Sequence, residues 1–214
     1  VFFKKYLWRI LTKSFTRFNI MNKKELISYK GNLLLGAIII EQEYFKDNRG
    51  IFFESWNKNK LNKLLSKDLD FVQDNISISH KGVIRGLHYQ LDPHAQGKLV
   101  RCLEGTIFDV VVDLRINSKT FGEWGFVELT GDIKNQIWIP EGFAHGFLTI
   151  SDYALVEYKT TKFWNKKYER SISWKDKDIN IKWPKNGERS PVLSKKDAVS
   201  PTFKEIQIKG DIFL

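Results

Sequence analysis

Short apolar runs separated by turn residues fill the chain from residue 31 to about residue 160. They are rich in Val, Ile, Phe and Thr, the composition typical of β-strands. The runs predict strands at Leu33–Gln42, Ile51–Trp56, Phe71–Ser79, Val83–Gln90, Lys98–Glu104, Thr106–Leu114, Gly125–Leu129, Gln136–Ile139, Ala144–Thr149 and Leu155–Thr160. Lys58–Leu65 is predicted to be a helix, because its leucines share one side. The polar, Trp- and Lys-rich segment after Thr161 is expected to form turns and short helices that close one end.

Many strands spaced by about 8–12 residues are typical of a β-sandwich or jelly-roll barrel. We therefore predict one all-β domain over residues 31–214, with a few short helices. Thr106–Leu114 shows the alternation most clearly, with Phe108 and Val110 on one face and Asp109 and Asp113 on the other. The two aspartates indicate that the second face is either solvated or lines a polar cavity.

Composition limits the class of protein. Hydrophobic residues make up 42% of the chain and aromatic residues 14%, enough to bury a core, which excludes a disordered chain. Cys102 is the single cysteine, so an internal disulfide and a Cys-rich zinc site are excluded and a reducing, cytoplasmic location is expected. The longest apolar run, Leu33–Ile40, is too short to cross a bilayer.

The net charge of +10 is concentrated at the start of the chain. Residues 1–20 carry five basic residues and no acid, in a spacing that allows an amphipathic basic helix. Such a leader is either a targeting segment or sequence upstream of a true start at Met21, the latter being our hypothesis. We treat residues 1–30 as an N-terminal extension. The remaining charge is ordinary for a domain of this size, so neither nucleic acid nor a membrane is expected as a partner of the core.

Two segments concentrate the polar residues, Val83–Gln90 with the following Gln96–Arg101, and Trp138–Phe147. His88 stands with Arg85, Gln90 and Lys98 among apolar strands, and such a group is costly to bury without a ligand or partner. Simple alternation separates Arg85 from His88 unless a bulge at Gly86 redirects the strand.

His88 is a natural general base near neutral pH. It needs a carboxylate partner, which spacing does not select from the 25 acidic residues. Lys98 and Arg85 are suited to stabilise an enolate or bind phosphate, and Tyr158 can supply a phenolic proton, although Tyr158 and Lys98 also fit ordinary structural roles.

A bound metal is not expected. Pro140-x-Gly142-x-x-His145 matches half of the metal-binding cupin pattern, but the His-x-His half is missing, since only His94 follows His88 nearby. His80 and His94 are interpreted as packed or surface residues.

Several motifs, in order, resemble the dTDP-4-dehydrorhamnose 3,5-epimerase family: RGIFFESWN, FVQDN, RGLHYQ, QGKLVRCLEGTIFDVVVDLR, SKTFGEW, IWIPEGFAHGF and SKKDA. The resemblance extends from about Leu34 to Pro201. It implies a homodimeric, metal-independent cupin jelly roll without a cofactor. The implied reaction inverts C3 and C5 of dTDP-4-keto-6-deoxy-D-glucose, giving dTDP-4-keto-L-rhamnose.

The resemblance also implies roles for individual residues. His88 matches the general base, Asp197 its dyad partner, Tyr158 the proton donor on the opposite face of the sugar, and Lys98 a cation near the C4 oxygen. Trp164 matches an aromatic residue that stacks on thymine. The other matched substrate-binding positions are Arg49, Glu54, Gln73, Asp74, Asn75, Arg85, His145, Glu169 and Lys196.

Other readings stay open at this stage. The same superfamily includes enzymes that invert C3 or C5 alone and relatives that move a keto group. A non-catalytic cupin that binds a sugar nucleotide and a metal cupin of another chemistry are further alternatives. The complete His88, Asp197 and Tyr158 set favours the double epimerase.

Overall fold

The computed structural model describes residues 21–132, 135–185 and 190–214. The strands within these ranges are β1 Asn22–Ile27, β2 Leu33–Glu41, β3 Phe45–Asp47, β4 Gly50–Phe52, β5 Gln73–His80, β6 Ile84–Gln90, β7 Lys98–Glu104, β8 Thr106–Asp113, β9 Trp124–Thr130, β10 Asn135–Ile139, β11 Phe143–Thr149, β12 Tyr153–Thr160 and β13 Glu169–Ser171. The helices are α1 Lys58–Leu65, α2 Lys195–Ala198 and α3 Phe203–Lys209. The predicted all-β class and the predicted helix at Lys58–Leu65 are confirmed.

Two antiparallel sheets face each other and form a cupin-like sandwich. One sheet has the strand order β1-β2-β10-β7-β12-β5, and the other has β13-β6-β11-β8-β9. Apolar side chains from both sheets meet between them, including Val100 and Val156 from the first and Ile107, Val111 and Phe147 from the second. This shared layer fixes the two sheets relative to each other.

Part of the outer face of each sheet is covered as well. The segment after β13 lays Ile172, Ile179, Phe203 and Phe213 on the outer face of the β6–β9 sheet. Helix α1 packs Leu61 and Leu65 against the other sheet. Asn57 caps the start of α1 by accepting a hydrogen bond from the Lys60 backbone N–H. Strand β8 has buried residues on each side because side chains pack against both of its faces. The face that carries Asp109 is therefore not solvated, which corrects one of the two alternatives predicted for it.

The structure differs from the predictions at the N-terminal end. Asn22–Ile27, placed in the predicted extension, forms β1 and pairs with β2, so the domain begins before residue 31. Its side chains are mostly exposed, so it lacks the apolar alternation that predicts a strand. The predicted strand Ile51–Trp56 is reduced to β4, which forms a small hairpin with β3. The leader at residues 1–20 lies outside the described residues.

Across the described ranges, no helix is long and apolar enough to cross a membrane.

Candidate active site

A cavity of about 380 Å³ opens between the two sheets near the C-terminal segment. It brings together ten of the predicted site residues: His88, Lys98, Tyr158, Asp197, Arg85, Asn75, His145, Trp164, Glu169 and Lys196. These residues come from both sheets, from the segment after β12 and from α2. The strands therefore assemble in one place a set of acids, bases and cations that are far apart in sequence.

A bulge at Gly86 puts Arg85 and His88 on the same side of β6. His88 pairs with His145 of β11, whereas Arg85 pairs with Phe147, so the register shifts between them. Gly86 has φ of +117°, and a Cβ there would lie 2.6 Å from the Cα of Gly146. Glycine is thus required both by conformation and by the close approach of β11. The bulge therefore allows these two side chains to act together, as the glycine in the strand predicts.

His88 and Asp197 form a hydrogen-bonded dyad. Nε2 of His88 lies 2.6 Å from Oδ1 of Asp197, although 109 positions separate them in sequence. Ser194 caps α2 by accepting from the Asp197 backbone N–H at 3.0 Å, which holds the carboxylate in place. Burial raises the pKa of Asp197, but the hydrogen bond and charge of His88 outweigh it and leave that pKa below its usual value. An ionised Asp197 can orient the ring by accepting a hydrogen bond from Nε2–H, and Nδ1 can then accept a proton.

Lys98 is a buried cation at the inner wall of the cavity. Its Nζ donates to the backbone oxygen of His88 at 3.3 Å, which links β7 to β6 across the sandwich. Burial lowers the pKa of Lys98 to about 8, while the charges of Asp109 and Glu169 act in the opposite direction. Asp109 is fully buried and binds Nε2 of His145 through Oδ2 at 2.8 Å. Lys98 is well placed to meet negative charge that develops inside the cavity.

Tyr158 belongs to β12, in the sheet opposite His88. Burial raises the pKa of its phenol, the charge of Arg85 lowers it, and that of Glu169 raises it. The net rise keeps Tyr158 protonated at neutral pH, so its phenol can donate a proton. Arg85 bridges the sheets by donating Nε–H to Oγ of Ser79 at 2.9 Å.

The mouth of the cavity carries charge and an exposed aromatic ring. Nζ of Lys196 lies 2.7 Å from Oε1 of Glu169. Burial raises the pKa of Glu169, but the hydrogen bond and charge of Lys196 and a hydrogen bond from the Trp164 side chain bring it below its usual value. Trp164 is 54% exposed at this rim, so much of its side chain is accessible to a ligand.

Four predicted site residues lie outside the cavity lining. Gln73 contacts the site indirectly, since its Oε1 accepts from the Trp164 backbone N–H at 2.9 Å. Asp74 points to the outer face of the sheet and pairs with Lys159. Arg49 pairs with Asp47 in the β3–β4 hairpin, and Glu54 pairs with Lys60. Within one chain, Asp74, Arg49 and Glu54 do not join the site.

Sequence reasoning did not assign functional roles to Asp109 and Gln90. The alternation of β8 did indicate a polar cavity at Asp109, and that alternative agrees with its position behind His145 and Lys98. Gln90 was noted beside His88, but its partners are backbone atoms of a distant segment, which no motif shows. Among the described residues, no group of three or more His, Cys, Asp or Glu is arranged to hold a metal ion.

Comparisons with known proteins agree on one family. The family model described as dTDP-4-dehydrorhamnose 3,5-epimerase matches residues 32–205. The dTDP-4-dehydrorhamnose 3,5-epimerase of Shigella flexneri is 54% identical over 178 residues, which are 83% of this chain and 94% of that protein.

Two solved structures show the similarity in three dimensions. The dTDP-6-deoxy-D-glucose-3,5-epimerase of Legionella pneumophila, in complex with dTDP-4-keto-L-rhamnose, gives a TM-score of 0.79 at 42% identity, covering 88% of this chain and 96% of that one. A 3'-monoepimerase from Streptomyces bikiniensis, in complex with dTDP-quinovose, gives 0.78 at 31% identity, covering 83% and 88%. The fold is thus shared with enzymes that differ in how many carbons they invert.

Proposed function

This chain belongs to the dTDP-4-dehydrorhamnose 3,5-epimerase family, and we propose that its cavity inverts C3 and C5 of dTDP-4-keto-6-deoxy-D-glucose, as the enzyme of dTDP-L-rhamnose synthesis. It is an isomerase of sugar nucleotides. The observation that carries the proposed mechanism is the opposed placement of the His88–Asp197 dyad and Tyr158, on different sheets around one cavity. An epimerase needs this arrangement, because a proton must leave one face of the sugar and return to the other.

The C4 keto group makes the hydrogens on C3 and C5 acidic. His88 takes one of these protons, the C–H bond electrons form a C=C bond to C4, and the carbonyl electrons move to the C4 oxygen. Tyr158 then donates its proton to the same carbon from the opposite face, and the carbonyl re-forms. Solvent then takes the proton from His88 and returns a proton to Tyr158. Repeating the step at the second carbon gives the doubly inverted product, with no oxidation or reduction. A positioned acid or base of this kind typically contributes about 10²–10⁴-fold to the rate.

Lys98 is the group we assign to the enolate oxygen. Its buried ammonium is a donor in a site of low dielectric, where one such donor is worth roughly 2.7–4 kcal/mol of transition-state stabilisation. The Asp109–His145 pair lies behind it and supplies the countercharge. This proposal needs neither a cofactor nor a metal ion.

The rim accounts for the nucleotide half of the substrate. Arg85 and Lys196 supply positive charge for the diphosphate, and the exposed indole of Trp164 supplies a stacking surface for thymine. His145, Asn75 and Glu169 line the sugar end. A cytoplasmic location agrees with the single cysteine, Cys102.

We further propose a homodimer in which the β3–β4 hairpin of one copy completes the site of the other. The Arg49 side chain is 85% exposed, and the hairpin presents Phe45, Ile51 and Phe52 to solvent. Such a hairpin is poorly explained in an isolated chain. Arg49→Ala and His88→Ala homodimers are expected to be nearly inactive, and refolding them together should restore activity in mixed dimers. Absence of restoration, with dimers present by sedimentation, would contradict the exchange.

Deuterium incorporation tests the reaction. The protein is incubated with dTDP-4-keto-6-deoxy-D-glucose in heavy water, and the label is located by proton NMR and mass spectrometry. We expect label at both C3 and C5. Label at one carbon would favour the second candidate, a mono-epimerase, which the similarity to the Streptomyces bikiniensis structure supports. No label, with nucleotide bound, would contradict the acid–base mechanism and favour a binding protein.

His88→Ala serves as the matched control for that experiment. The substitution removes the base while leaving Trp164, Arg85 and Lys196 in place. Turnover and label should be lost, and dTDP affinity should be largely retained. Turnover within tenfold of the unsubstituted protein would contradict the assignment of the base.

A further inference from the structure

The segment of residues 162–165 carries Trp164 to the rim of the cavity without belonging to a strand. It follows β12, which ends at Thr160, and precedes β13. Backbone N–H and C=O groups near a protein surface need partners, and a strand would supply them from a neighbour. In this segment, side chains are the partners of the Lys162 and Phe163 oxygens and of the Trp164 and Asn165 N–H groups.

Three glutamines hold the segment. Gln96 donates Nε2–H to the backbone oxygen of Lys162 at 2.8 Å. Gln73 accepts the Trp164 backbone N–H on Oε1 at 2.9 Å. Gln90 binds the residues on either side of Trp164: its Nε2 donates to the Phe163 oxygen at 3.2 Å, and its Oε1 accepts from the Asn165 N–H at 2.6 Å.

Gln90 is buried and makes two hydrogen bonds to this segment, whereas Gln73 and Gln96 make one each. It is 2% exposed, lies two positions after His88 on β6, and also donates Nε2–H to the backbone oxygen of His94 at 2.7 Å. Both amide hydrogens and the amide oxygen therefore have backbone partners. A glutamate in its place would keep the acceptor and lose both donors.

We propose that Gln90 is a positioning residue for Trp164, which fixes the backbone on both sides of the indole so that a planar ring of the ligand stacks on a surface already in place. The inference rests on the proposed nucleotide binding. Its physical basis is preorganisation, since a side chain that is ordered before binding does not have to be ordered by the ligand. Gln90 also lines the cavity, but its amide is taken up by backbone partners, so its assigned role is to position Trp164.

Gln90→Met removes the amide and keeps the length of the side chain. Its matched control is Asn62→Leu, because Asn62 of α1 likewise uses its amide on both the N–H and the oxygen of one residue, Leu69, on the outer face of the other sheet. Calorimetry with dTDP and steady-state kinetics are measured for both. Gln90→Met should weaken dTDP binding and raise KM about 2- to 12-fold, the range for ordering one side chain. kcat should stay within twofold, and Asn62→Leu should leave the Kd unchanged.

A double-mutant cycle with Trp164→Ala separates positioning from a merely structural role. Loss of the stacking ring should weaken dTDP binding about 5- to 150-fold. In the Trp164→Ala background, Gln90→Met should then change the Kd less than twofold, because its effect passes through the indole. An equal effect in both backgrounds, or no effect in the unsubstituted protein, would overturn the inference. Failure of the unsubstituted protein to bind dTDP would instead overturn the proposed function and the inference with it.

Gln90→Glu is the second variant, for use if Gln90→Met does not fold. The carboxylate still accepts from Asn165, but it lacks donors for Phe163 and His94. Protonation restores one donor, so dTDP affinity relative to the unsubstituted protein should improve as the pH falls. A relative affinity that does not change with pH would overturn the inference.

Discussion

Replacing Asp197 by Asn tests the dyad most directly, because it removes one charge and keeps the shape. The His88 ring can still hydrogen-bond to the side-chain oxygen, which lies 2.6 Å away in the structure. What is lost is the attraction between a carboxylate and the imidazolium that forms when His88 takes the substrate proton. The ground state, with a neutral ring, is affected far less.

The size of the loss follows from the geometry. Two unit charges about 4 Å apart interact with about 4 kcal/mol at an effective dielectric of about 20. The His88 side chain is 32% exposed, so solvent screens part of this attraction. A range of about 2–4 kcal/mol corresponds to a fall in kcat of about 30- to 1,000-fold, since each 1.36 kcal/mol is tenfold.

The assay is the rate of deuterium incorporation at C3 and C5 together with kcat, with dTDP affinity as an internal check. Affinity should change less than threefold, because Asp197 is assigned no contact with the nucleotide. Asp152→Asn, the same substitution at an exposed residue between β11 and β12, is the matched control and should be neutral. A kcat of Asp197→Asn within tenfold of the unsubstituted protein would refute the assignment of Asp197 as the charged partner of the base.

Three further outcomes are expected. Tyr158→Phe should still exchange substrate hydrogen for deuterium but lose inversion, measured by NMR of the recovered sugar; inversion at the normal rate would contradict its role as donor. kcat should fall as the pH rises through about 8, because Lys98 loses its proton there, and Lys98→Met should lower kcat roughly 10²–10³-fold and abolish that dependence. Gly86→Ala should lower the free energy of unfolding by at least about 2 kcal/mol in urea titration, since its Cβ would meet Gly146 and the His145 oxygen; unchanged stability would argue against the bulge.

The fold was largely predictable because its strands alternate or run apolar in the ordinary way. Strand β8 shows the limit: Asp109 and Phe108 lie on opposite faces, yet both are buried. The cover over Phe108 includes Trp183, which is 75 positions further along the chain and has no local signature in the strand. Strand β1 was missed for the opposite reason, since it is stabilised by backbone pairing with β2 and presents mostly exposed polar side chains.

The site was predictable only as far as local sequence carries chemistry. Arg85 and His88 could be recognised as partners once Gly86 was read as a bulge, because a glycine inside a strand has a physical meaning. Asp197 could not be found by spacing, since the fold alone brings it to His88. Its assignment came from the family resemblance, and the 2.6 Å contact agrees with it.

The two sheets together fix the separation between the base and the acid. His88 is fixed to one sheet and Tyr158 to the other, and packed sheets of this kind lie about 10 Å apart. The distance between acid and base is therefore set by the thickness of the apolar layer that includes Val100 and Val111, rather than by the site itself. Substitutions deep in that layer, far from any substrate atom, should change kcat by altering the distance between the two sheets.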